Sequence, residues 1–134
     1  MTDVLSSMTA WLLTRTEVTS VIVARIYPMA IPAGTTTNPT QMPCMTYQLI
    51  DEPVVTAHDG KFTYTARIQV DAFGGSYKSA RGLADAVHEV MHGFRGAWGG
   101  LEVGGVFRKR KQDLSEPESG LFRVSQDFIV NYHE

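Results

Sequence analysis

Lys61-Phe62-Thr63-Tyr64-Thr65-Ala66-Arg67-Ile68-Gln69-Val70-Asp71-Ala72-Phe73 alternates apolar and polar residues over its whole length. Successive side chains of a strand point to opposite sides of a sheet. Phe62, Tyr64, Ala66, Ile68, Val70 and Ala72 therefore share one face, and Lys61, Thr63, Thr65, Arg67, Gln69 and Asp71 share the other. The period predicts a long strand with one face in the core and the other meeting water or a partner.

Downstream, Gly74-Gly75 breaks the pattern and Ser76 can cap a helix. Ala80, Leu83, Ala84, Val87, Val90 and Met91 then recur at helical spacing until Gly93 ends the segment. This helix is expected to pack on the sheet. Leu101–Val103 and Val106–Lys111 flank Gly104-Gly105 as a hairpin, and Phe122, Val124, Phe128, Val130 and Tyr132 mark a closing strand after an acidic turn over 113–120.

Upstream, Asp59-Gly60 after His58 supplies hairpin chemistry, and Met45, Tyr47 and Leu49 alternate with Thr46 and Gln48 as a strand stopping near Pro53. Val4, Leu5, Met8, Trp11 and Leu12 predict a helix from Val4 to Arg15 capped by Asp3. Val21–Tyr27, rich in β-branched and aromatic residues, reads as a short strand ended by Pro28. A Pro- and Thr-rich loop spans 28–43. The order predicts the α+β class: a mainly antiparallel sheet with two helices packed on one face.

At 134 residues the chain has the size of one domain, covering 1–134, and its 43% hydrophobic and 19% charged residues suit a folded core. A formal net charge of -2 gives no overall attraction to nucleic acid or to an anionic membrane. Cys44 is alone, which excludes an internal disulfide and a multi-cysteine zinc site, and it reads as a small buried hydrophobe. Asp3 precedes any basic residue and polar residues interrupt the first apolar stretch, so neither a signal peptide nor a membrane span is expected.

One string fits a catalytic motif. His88-Glu89-Val90-Met91-His92 matches the H-E-x-x-H pattern in which two histidines on one helix face hold zinc and the glutamate acts as general base. A zinc protease also needs a third ligand, and none stands at metzincin spacing, although Glu102, Asp113, Glu116 and Glu118 follow downstream. On the predicted helix His88 and His92 share the polar side with Arg81 and Asp85, so a solvated face is the competing reading.

Arg108-Lys109-Arg110-Lys111 is the dense charge run. On a regular strand Arg108 and Arg110 would share one face and Lys109 and Lys111 the other. Guarding an exposed strand, contacting DNA, and meeting the acidic residues Asp113, Glu116 and Glu118 of a neighbouring subunit are the three readings. No nucleophile elbow or phosphate-binding glycine pattern is present, and no cofactor is expected.

Several strings together resemble the small tail-completion proteins of long-tailed phages, the group that includes tail terminators and tail-to-head joining proteins. They are Ala24–Pro28, Ala66–Phe73, Tyr77–Val87, Phe94-Arg95-Gly96, Asp113-Leu114, Glu116–Arg123, and Ser125, Asp127 and Phe128. The resemblance covers nearly the whole chain. It implies a tail-terminator-like fold, a homo-hexameric ring capping the tail tube, and docking to the head-tail connector or adaptor. DNA would pass the ring lumen without specific binding. The implied location is the head-proximal end of the virion tail, after assembly in the host cytoplasm. No catalytic residues come with it. Tyr27, Pro28, Ile31, Pro32 and Thr36 of the long loop, with Arg108, Lys109, Arg110, Lys111, Asp113, Glu116 and Glu118, are the expected contact residues. Zinc proteolysis at His88 and His92 and a small DNA-binding module are the alternatives.

Overall fold

The computed structural model describes residues 3–23, 25–29, 42–56, 62–115 and 121–133. In chain order the elements are α1 (Val4–Leu12), α2 (Thr16–Ile22), β1 (Ile26–Pro28), β2 (Cys44–Asp51), β3 (Val54–Thr56), β4 (Phe62–Gly74), α3 (Tyr77–Met91), β5 (Gly96–Trp98), β6 (Leu101–Asp113) and β7 (Phe122–His133). The strands form one sheet in the order β1-β2-β4-β7-β6-β5, with β3 also pairing with β4. The class is α+β, as expected. The sheet is mixed, because β1 runs parallel to β2 while the other pairs are antiparallel.

The alternating stretch forms the centre of this sheet. Ala66, Ile68, Val70 and Ala72 of β4 are buried under the helices, and β7 adds Val124, Phe128 and Val130 beside them. From the helices, Leu83, Ala84, Val87 and Met91 of α3 close over this layer, joined by Met8 and Leu12 of α1 and Val18 and Ile22 of α2. Ser76 caps α3 by accepting from Ser79 N, and Gly93 follows its end with φ +82°, a region that favours glycine.

The approach of α3 to β4 is set by Gly74. A Cβ there would lie 2.7 Å from the backbone nitrogen of Ala80 and 2.9 Å from Ser79 Oγ. Gly74→Ala is expected to destabilise the protein by about 1–3 kcal/mol, because the first turn of α3 must move away from the strand. Gly75→Ala, where an added Cβ meets nothing within 4 Å, is the control. Equal urea midpoints for the two variants would refute this account of the contact.

Four expectations are corrected. Val21 and Ile22 belong to α2, not to a strand, and β1 is only Ile26–Pro28. Val18 and Ile22, one helical turn apart, are both fully buried, and that burial overrides the strand preference of β-branched residues. The first helix stops at Leu12 instead of Arg15, so three helices rather than two stand among the described residues. Gly104-Gly105 is not a hairpin turn. It lies inside β6 at a β-bulge between Val103 and Gly105, and the turn sits at Gly99-Gly100, with Gly99 at φ +60°.

The fourth correction concerns the basic run. A second bulge between Arg108 and Arg110 breaks the alternation. Arg108 and Lys111 lie on the helix side, where Arg108 Nη1 donates to Gln126 Oε1 (3.2 Å) and Lys111 Nζ pairs with Asp85 (3.3 Å). Arg110 lies on the opposite side, where its Nη2 donates to Gln112 Oε1. The Asp59-Gly60 turn lies outside the described residues.

Candidate assembly surface

The sheet face turned away from the helices carries a symmetric charge pattern. Arg67-Ile68-Gln69-Val70-Asp71 on β4 and Arg123-Val124-Ser125-Gln126-Asp127 on β7 share the form Arg-x-polar-x-Asp. The strands are antiparallel with Val70 opposite Gln126, so the two segments are related by a local two-fold through that pair. Each arginine then lies diagonal to the other strand's aspartate. Arg67 Nη2 donates to Asp127 Oδ2 at 2.7 Å, and Arg123 donates to Asp71 Oδ2 from Nη2 at 2.6 Å and Nε at 3.1 Å. Thr65 Oγ1 donates to Asn131 Oδ1 at 3.0 Å in the same layer.

This face was expected to meet water or a partner. Its carboxylates are nonetheless largely buried: the Asp71 and Asp127 side chains are 8% and 9% exposed, their arginines about a third. The pattern was visible as a pair of similar pentapeptides, but only the register shows that they close on each other.

Between the middle of β4 and β7 and the C-terminal ends of β2 and β6 this face sinks into a pocket of about 150 Å³. Arg67, Gln69, Asp127, Arg110, Gln112 and Ile50 contribute to its wall. Arg67 Nε is buried with no hydrogen-bond partner among the described residues.

The predicted contact residues do not form one surface. Tyr27 and Pro28 lie on β1, at the opposite end of the sheet from β6 and the basic run. Asp113 accepts from Ser115, and those bonds hold its carboxyl below the usual range. Ile31, Pro32, Thr36, Glu116 and Glu118 lie outside the described residues.

The two motif histidines have different surroundings. His88 is on α3, but His92 is the residue just past its end, with ψ 124°. Their rings stack at 4.9 Å, and His92 Nδ1 accepts the backbone N–H of Arg108 at 3.0 Å. Gly93 N donates to Val106 O at 2.7 Å. Together these bonds cover part of the edge that the short β5 leaves open on β6, which gives His92 a structural task. Burial, then the neighbouring Arg108, holds the His88 pKa below the ordinary imidazole value. Asp85 pairs with Lys111 rather than with a neighbour on its own helix. Among the described residues no group of three or more His, Cys, Asp or Glu side chains is placed to hold a metal.

Cys44 is fully buried, and burial pushes its thiol pKa to about 11. In the native protein it is expected to resist a thiol reagent at neutral pH and to react fully in denaturant. Rapid native labelling would contradict this placement. No described helix is long and apolar enough to cross a membrane.

Residues 6–133 match the family model described as tail completion protein gp17. A chain of the solved structure titled "Virion of native gene transfer agent (GTA) particle" superposes with a TM-score of 0.72 at 14% identity, covering 100% of both chains. At that identity the likeness speaks for the fold. No curated protein sequence matches the chain.

Proposed function

Because the chain belongs to the tail completion protein gp17 family, we infer that it forms a ring at the head-proximal end of a phage tail. There it ends the tail tube and joins it to the head connector. The chain is a structural protein of the virion tail, and its family is not an enzyme class. The observation that supports this reading is the family match itself, which runs over residues 6–133.

Physical considerations support a ring. A closed ring needs head-to-tail contact between two different patches of one chain. The sheet offers two different ends, the short parallel β1 and the bulged basic edge of β6. The loop over 28–43 and the turn over 113–120 are the proposed contact segments. They would meet neighbouring copies, the tube protein and the connector, while DNA passes the lumen without sequence recognition.

Mass measurement by sedimentation tests the reading. A hexamer, alone or on addition of tail-tube protein, is the expected result. A strict monomer in both conditions would refute it.

A further inference from the structure

Arg110 stands apart from the rest of the basic run. Its partner among the described residues is a carboxamide, Gln112, and it faces the pocket rather than the helices. Across the pocket Arg67 pairs with Asp127, the one carboxylate among the lining residues, so two guanidinium groups face a single carboxylate in this wall. Gln69 Nε2 is already engaged by Asp71 at 3.1 Å. Arg67 keeps a buried Nε–H in the same wall without a partner among the described residues, and such a donor carries a desolvation cost.

We propose that this pocket receives a single carboxylate side chain from a second copy of the chain, with Arg110 as its primary partner. The proposal rests on the ring reading. Size is compatible with it, because a pocket of about 150 Å³ has room for a carboxylate with its methylene stem. Shape supports it, because a guanidinium fork matches the two oxygens of a carboxylate. Ile50 and Leu114 contribute apolar wall beside the polar groups, as the stem of a glutamate requires. The chain has carboxylates to offer, with 14 acidic residues against 12 basic ones.

The test compares self-association of the wild type, Arg110→Glu and Lys109→Glu by sedimentation, and follows the side-chain amides of Gln69 and Gln112 by NMR during titration with sodium acetate or phosphate at fixed ionic strength. Arg110→Glu is expected to weaken association by roughly tenfold or more, and Lys109→Glu, with the same charge change, by much less. Acetate should shift the Gln112 amide saturably, and Arg110→Gln should abolish the response. If the wild type assembles and both charge reversals behave alike, the pocket assignment fails while the ring stands. If the wild type never associates, the ring and the second-copy occupant both fail, and acetate alone then decides whether the pocket takes a carboxylate. Stronger saturable binding of phosphate than of acetate would overturn the carboxylate assignment.

Discussion

Phe128→Ala is expected to lower the unfolding free energy by about 3–5 kcal/mol, the largest loss of any single truncation considered for this chain. Phe128 has no exposed surface and lies in β7 with Ile68 of β4 on one side and Arg108 of β6 on the other. Helix α3 closes over this layer, so the ring cannot be replaced by water or by a small backbone shift. Domains of this size are stable by only about 5–15 kcal/mol, so the variant would lose a large share of its stability. Phe128→Leu, which keeps most of the volume, should cost about 1.5 kcal/mol or less. Urea unfolding followed by tryptophan fluorescence measures both. A loss below about 1 kcal/mol for the alanine variant, at unchanged denaturant slope, would show that the layer collapses freely and that the packing described is wrong.

Truncating the ion pairs on the opposite face is expected to give the second largest effect, and an unequal one. Asp71 accepts two bonds from Arg123 and further bonds from Gln69, whereas Asp127 accepts one from Arg67. Asp71→Ala should therefore cost more than Asp127→Ala. Removing one member of a fully buried pair costs about 3–5 kcal/mol, but each arginine is about a third exposed, so water recovers part of the loss. That places Asp71→Ala at about 1–3 kcal/mol. A thermal or urea series of the two variants checks the order. Equal losses, or a larger one for Asp127→Ala, would contradict the bonding described.

Local patterns carried much of the fold. The alternation from Phe62 to Phe73 and the helical spacing from Ala80 to Met91 marked β4 and α3, and each was strong because one face is buried, from Ala66 to Ala72 in the strand and from Ala80 to Met91 in the helix. The strand at Val21–Tyr27 was misread for the opposite reason. Val21 and Ile22 suit a strand by composition, and the burial of Ile22 one helical turn after Val18 in the common core makes their segment a helix. Gly104-Gly105 looked like a turn because two glycines permit one. A bulge needs the same freedom, and the choice between them depends on what β7 pairs with.

The candidate site divides in the same way. His88-Glu89-x-x-His92 and the basic run were legible as strings, but their placement was not. His92 leaves the helix to bond the β6 edge, and the bulge at Lys109 sends Arg110 away from Arg108. The twin Arg-x-polar-x-Asp segments lie 56 positions apart, the spacing of Val70 and Gln126, and no local period links them. The sequence by itself determined the α+β class, the central strand, the long helix and its cap, because these follow from side-chain period and capping chemistry within short windows. The tertiary structure alone decided the mixed sheet, the β6 bulges, the diagonal ion pairs and the Arg110 pocket, because each depends on which strand lies beside which and in what register.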